Sequence, residues 1–274
     1  MIQPIGFHLR LSSDWLVTAL SANIGEFLAA GSVDSLGRPV TELLSEDAIH
    51  DIRNRMALLR SDQSIEHLLQ FALVTDGKPF DLSIYRAGEG FAIDAEPSDG
   101  HGLGDATGIV EGLLARVATT DGVESLCNET ARQLRALTGF DRAVLCGNGK
   151  LLGHSARAGP DHPDYAAVMR DIDDLALFDR DAEPVEVLVD AQDTQARSRS
   201  TLRLPSKAEL TGLATVGARA ALIVPLTRDG QPWGHVGCFH GVPRQIGAVR
   251  QGVARLFSRI IALRIEIAEL RRVD

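Results

Sequence analysis

Four histidines, His154, His162, His235 and His240, offer the widest choice of chemistry in this chain, as metal ligands or as proton carriers. Their spacing assembles neither role. They show no i, i+4 pairing, and no cysteines stand beside them at ligand spacing. Cys127, Cys146 and Cys238 are far apart and odd in number, so they suggest neither a disulfide framework nor a zinc cage. His235 and Cys238 are separated by an odd number of residues, which on one strand turns them to opposite faces. Ser155 and Ser206 lack the strand–turn–helix context of an activated nucleophile. The glycines of 100–104 lack the combination of a strand before and a Walker pattern after them, so they are not read as a phosphate loop. Arg197, Arg199 and Arg203 form a local basic cluster. It has the chemistry to hold an anion such as a nucleotide phosphate, and it also balances the Asp-rich stretch before it. No kinase or cyclase motif is found, and the chain is expected not to be an enzyme.

The elements that position these residues fill 274 positions, 45% of them hydrophobic, enough for two domains with separate cores. The net charge of -9 argues against nucleic acid as a partner, because phosphate binding needs a basic face. No apolar run approaches the roughly 20 residues that span a bilayer, so no membrane partner is expected. Met1 to Leu11 alternates apolar and polar residues and reads as a strand rather than a signal peptide. Unpaired cysteines suit a reducing cytoplasm.

Phe7, Leu9 and Leu11 keep the two-residue period of a half-buried strand. A second apolar run covers Trp15 to Leu20, and Ile24, Phe27 and Leu28 follow at helical spacing. Ile49, Ile52, Met56 and Leu59 mark a helix capped by Ser45. A three-strand meander then runs through Leu68–Val74, Phe80–Ile84 and Phe91–Ala95. Pro97, Gly100, Gly102 and Gly104 break the pattern and mark a linker. Beyond it, Ile109, Leu113 and Val117 mark a helix. Asp121 and Glu124 are placed as a capping box for a second one. Strands are expected at 142–146, 151–157, 185–189, 218–226 and 232–240, with a Ser206/Glu209 capping box opening a short helix to about residue 215. The stretch 160–183 is polar, acidic and unassigned.

The clearest pattern is C-terminal. Ile246, Val249, Val253, Leu256, Ile260, Leu263, Ile267 and Leu270 form an unbroken a/d seam over more than three heptads. Phe257, Ile261 and Ile265 run beside it as a second stripe. One stripe serves the domain's own sheet, so the other is expected to meet a second copy of the chain in a homodimer. Ile109, Leu113 and Val117 are expected to join that bundle. A parallel pairing puts both C-termini at one end, where an output domain or signalling partner would feel the helices shift.

Several short motifs, taken in order, resemble the bacterial phytochromes. Ile2-Gln3-Pro4-Ile5-Gly6 is similar to the segment that opens their PAS domain, and Ala22-Asn23, Gly37-Arg38-Pro39 and Lys78-Pro79-Phe80-Asp81 follow at matching places. Leu137-Thr138-Gly139-Phe140-Asp141-Arg142 matches their GAF signature. Leu202-Arg203, Val216-Gly217-Ala218, Trp233-Gly234, Cys238 and His240 complete the series. The resemblance implies an α+β chain with a PAS domain over 1–98, a linker over 99–105 and a GAF domain over 106–274. Each domain is an antiparallel sheet flanked by helices, and a long helix ends the chain.

The family's GAF domain holds a linear tetrapyrrole, and here the matching positions depart from its pattern. Glu209 stands in place of a ring-contacting histidine and Gly212 in place of a tyrosine. Ala221 and Ile223 replace propionate-binding serines. Phe239 replaces the first of two histidines and only His240 remains. No Asp-Ile-Pro loop is found. Buried propionates and pyrrole nitrogens need polar partners, and these residues withdraw them. The sequence begins at Met1, without the cysteine that binds bilin in bacterial members. With so little chain before Gln3, the family's knot between tail and GAF loop is expected to be absent or vestigial. The expected function is a sensory, regulatory module without cofactor, acting through dimerisation and its last helix. Two alternatives stay open: a red/far-red photoreceptor fragment holding biliverdin noncovalently through atypical contacts, and a GAF domain that binds a nucleotide or haem.

Overall fold

The alternation at the N-terminus becomes strand β1, Phe7–Leu11, and the next apolar run becomes β2, Val17–Ser21. Helix α1 covers Ile24–Phe27, two 3-10 turns follow, and α2 covers Glu46–Met56. Ser45 caps α2, its Oγ accepting the Ala48 amide at 3.3 Å, which satisfies one orphan donor of the first turn. The meander follows as β3, Ile65–Ala72, β4, Pro79–Ala87, and β5, Gly90–Pro97. Then come α3, Leu103–Ala118, α4, Gly122–Thr138, β6, Arg142–Gly147, and β7, Lys150–Ala156. The stretch left unassigned holds α5, Tyr165–Met169, and β8, Leu175–Leu177. The chain ends with β9, Val187–Val189, α6, Lys207–Thr215, β10, Ala220–Arg228, β11, Gln231–His240, and α7, Ala248–Leu270.

This computed structural model describes all residues except 63, 101–102, 158–162, 191–199, 229 and 271–274, and the side chains of 103–105. Two compact units result. One is Met1–His101 with Ala182–Leu204, the other Gly102–Asp181 with Pro205–Asp274. The architecture is α+β, with one antiparallel sheet in each unit. The division falls inside the expected linker, but the segment 182–204, expected in the GAF domain, packs with the first unit.

In the first unit the strand order is β3-β4-β5-β1-β2-β9. Phe7, Leu9 and Leu11 join Ile49 and Ile52 of α2 and Phe80, Leu82, Phe91 and Ile93 of the meander in one core. The opposite sheet face carries a buried carboxylate. Asp94 accepts from Tyr85 Oη at 3.0 Å and Thr201 Oγ1 at 2.9 Å, takes Ser200 Oγ at 3.1 Å, and lies 2.7 Å from His8 Nδ1. A buried carboxylate needs that many donors to offset its lost hydration, and four of these groups are spread over β1, β4 and residues 200–201.

The short tail is gripped, contrary to expectation. Ile2 exchanges backbone hydrogen bonds with Val185 at 2.8 and 2.9 Å, while the Gln3 amide donates to Leu202 O at 2.9 Å. Successive amides of an extended chain point to opposite edges, so even two residues can pair with the segment 182–204 on both sides. Ile2 is 2% exposed, and Gln3 Nε2 adds a bond to Arg203 O at 3.1 Å. Residues 191–199, including Arg197 and Arg199, lie outside the described residues.

In the second unit the order is β7-β6-β11-β10-β8. Helices α3, α4 and α7 pack together on one face of this sheet. The expected capping box at Asp121 does not form, because its side chain makes no cap hydrogen bond. The box at Ser206 does form: Ser206 Oγ accepts the Glu209 amide at 3.2 Å and Glu209 Oε2 accepts the Ser206 amide.

Candidate functional site

The positions matched to bilin contacts lie on β10, β11 and α6. Ala221 and Phe239 are cross-strand partners, as are Ile223 and Gly237. Directly opposed residues share a face, so these side chains point to one side of the sheet. Ala221, Ile223 and Phe239 are 1%, 0% and 2% exposed. They belong to one apolar cluster with Val144 and Cys146 of β6, Tyr165 and Met169 of α5, and Leu213 of α6.

That face is filled by side chains. The Phe239 ring stacks on Tyr165 with centroids 5.2 Å apart. Tyr165 Oη accepts Arg142 Nη1 at 2.7 Å, which fixes the ring and satisfies its polar end. A Cβ placed on Gly237 would come within 2.4 Å of Met169 Sδ and 2.6 Å of the Phe239 ring. Any larger residue there would have to displace the neighbours that already occupy the space. No hydroxyl replaces the serines at Ala221 and Ile223, so two propionates would find methyl and methylene groups.

The other matched positions do not complete a polar pocket. Glu209 is committed to its capping box, where the carboxylate holds the Ser206 amide. Gly212 sits on α6 with Val168 Cγ1 3.5 Å from where its Cβ would be. His240 turns to the opposite face from Phe239. It stacks on Phe140 with centroids 5.4 Å apart. Its Nδ1 lies 2.8 Å from Asp141 Oδ2, off the line a hydrogen bond needs.

His235 shares the Phe239 face nearer the hairpin end, with a bond to the Ile172 backbone. Burial holds its imidazole below the ordinary histidine value, against that bond and the nearby Asp173 and Asp171, which raise it. Burial pushes the thiols of Cys146 and Cys238 up to about 12 and that of Cys127 to about 11, so all three stay protonated at neutral pH. Among the described residues no three His, Cys, Asp or Glu side chains cluster as metal ligands. Ser155 Oγ accepts Arg135 Nε at 2.9 Å, a contact with a cation rather than with a base. His162 lies outside the described residues.

Tyr165 and Met169 were not foreseen as the residues that close this face. Their signal lay in Tyr165, Met169, Ile172, Leu175 and Leu177, an apolar series hidden by the aspartates around it.

The C-terminal seam divides in two. Ile246, Val249 and Val253 are 7%, 4% and 2% exposed, built into the unit's own core. Leu256, Leu263, Ile267 and Leu270 are 49%, 57%, 50% and 64% exposed, with Ile260 partly covered between them. The companion stripe Phe257, Ile261 and Ile265 is fully buried. The expectation that all eight seam residues are available to a partner is therefore corrected. The reason is that α7 packs on β10, α3 and α4, and near its start this packing covers both stripes, while farther along it covers only the Phe257 stripe. Arg228 holds the far end, its Nη1 2.6 Å from Glu269 Oε2 and its guanidinium 3.5 Å from the Trp233 ring centroid. Leu113 and Val117 of α3 are buried, with Ile109 partly so.

Comparison with known proteins places these features in a family. Residues 1–98 match the model of the PAS fold and residues 122–268 the model of the GAF domain. The phytochrome-like protein Cph1 of Synechocystis is 24% identical over 98% of this chain and 40% of its own length. The bacteriophytochrome of Pseudomonas aeruginosa is 24% identical over 100% of this chain and 41% of its own length. The chain thus spans about two fifths of these curated relatives. The chromophore-binding domain of Stigmatella aurantiaca phytochrome P1 superposes with a TM-score of 0.79 at 20% identity, covering 96% of this chain and 94% of that one. No described helix is long and apolar enough to cross a membrane.

Proposed function

Because the chain belongs to the GAF domain family, and carries a PAS fold ahead of that domain in the order of a bacteriophytochrome module, we propose that it is a sensory module that does not hold bilin in the phytochrome manner and that signals as a homodimer. One observation carries the first half. The sheet face bearing Ala221, Ile223 and Phe239 is packed with Tyr165, Met169 and Leu213, leaving apolar groups where a tetrapyrrole needs hydrogen-bond partners. Opening that face would separate a stacked aromatic pair and forfeit the burial of several large side chains. Its test is an absorbance scan of the purified chain mixed with biliverdin. The spectrum of free biliverdin should be unchanged, and a sharpened red band that migrates with the protein would overturn the reading.

The second half rests on Leu256, Ile260, Leu263, Ile267 and Leu270. Their spacings of 4, 3, 4 and 3 keep them on one side of α7, and four of them are at least 49% exposed. Such a continuous apolar stripe is what a partner helix buries. A second copy supplies the matching stripe by symmetry. An output segment following α7 would then receive any change in how the two helices meet.

A further inference from the structure

The first unit contains a cavity that the sensory reading does not use. It has a volume of about 250 Å³ and lies where the β1–β2 turn, the end of α2 and the β4–β5 turn meet. Its inner wall is Phe91, 1% exposed, and Leu59, 6% exposed. Trp15 and Met56 form the sides, and Arg86 and Glu89 stand at the mouth.

The Trp15 indole is held rigidly. Its ring meets Phe91 edge-on with centroids 4.8 Å apart, and the Arg53 guanidinium lies 4.8 Å from its centroid. Its backbone has φ +64°, a left-handed conformation that side chains rarely adopt. The Trp15 carbonyl accepts the Val40 amide at 3.0 Å and its amide donates to Ser12 O at 3.1 Å, which keeps it there. Gly90, which also lines the cavity, is needed where the chain passes close to β1, because a Cβ there would lie 2.0 Å from Leu11 O.

Charge at the mouth selects the ligand. Arg53 is spent on the indole, and Glu89 already has a partner within the chain. Arg86 is exposed and makes no ion pair among the described residues. A fixed aromatic wall with an available guanidinium at its rim suits an apolar body that ends in a carboxylate. The volume lies below the roughly 300–1,000 Å³ of sites for drug-sized ligands, which limits the body to about one ring. We infer that this cavity is a binding site for a small aromatic carboxylate, seated against Trp15 and Phe91 with its carboxylate on Arg86.

The test uses the full chain and three probes of one shape: phenylacetate, phenylacetamide and phenethylamine. Binding is read by ligand-observed NMR on the unmodified chain and by Trp15 fluorescence in a Trp233→Phe variant. Phenylacetate should bind saturably at millimolar concentration or below. The amide and the amine, and phenylacetate with Arg86→Gln, should each bind at least about tenfold more weakly, the loss expected for one charged contact of about 1.4 kcal/mol. No saturable phenylacetate signal would overturn the inference, as would equal binding of acid and amide, or an unchanged affinity in Arg86→Gln.

Discussion

Replacing Leu263 and Ile267 together by glutamate should convert the proposed dimer to monomer without unfolding it. Both side chains project from α7 and are 57% and 50% exposed within one chain. Fully burying such a side chain contributes about 1.5–3 kcal/mol, and about half of that remains to be gained at a partner. Two side chains in each of two protomers make four, so the pair contributes roughly 3–6 kcal/mol to association by the same measure. Ordering of side chains offsets part of it. A loss of about 2–4 kcal/mol is left, which is roughly thirty- to a thousandfold in the dissociation constant. Light scattering at micromolar concentration is the assay, with circular dichroism to confirm that the helices persist. Val253→Glu is the contrast, because Val253 is 2% exposed in the chain's own core and its charge should unfold the unit. A wild type already monomeric at that concentration, or a double variant that stays dimeric, would refute the reasoning.

Phe239→His, which restores the histidine of the phytochrome pattern, should cost about 1–3 kcal/mol, since the imidazole would be buried among apolar groups without a partner; a thermal melt equal to wild type would show that the face is not closed as described. His235 titrates below its ordinary value through burial. Between that lowered value and about 6.5 in the unfolded chain, the unfolded state binds more protons, so stability is complete above this window and falls as the pH drops through it. His235→Gln should flatten the decline of Tm below pH ~6.5, and an unchanged slope would assign the decline to other groups. Asp94→Asn should destabilise the first unit by about 3 kcal/mol by breaking a buried, charged network. It should also speed hydrogen exchange at the Thr201 amide, whose acceptor is Asp94; exchange at the wild-type rate would mean that this carboxylate does not hold the segment.

Where the pattern is strong and local, the sequence and the structure agree closely. Ser45 and Ser206 cap the helices they were expected to cap, and the alternation of Phe7, Leu9 and Leu11 is the core face of β1. Asp121 shows the limit of such signals, since a capping pair in sequence forms no cap hydrogen bond here. Long-range partners were less visible. Nothing local marks Val185 and Leu202 as the backbone partners of Ile2 and Gln3, because their pairing is a backbone matter spread over 200 residues of chain. The heptad seam was legible as a period, but a period does not say which turns of the helix a sheet and two other helices already cover. The withdrawal of polar groups at Ala221, Ile223 and Phe239 could be read directly. What takes their place could not, because Tyr165 and Met169 come from a stretch whose aspartates mask its apolar spacing.

The most direct test of the account is the colour of the chain made in cells that also express a haem oxygenase, so that biliverdin is present as the protein folds. Supplying the pigment during folding removes the barrier of reopening a packed face. The closed face of Tyr165, Met169, Ala221, Ile223 and Phe239 predicts colourless protein with no absorbance in the red and no change on red or far-red illumination. A red-absorbing, photoconvertible band in the purified chain would contradict it.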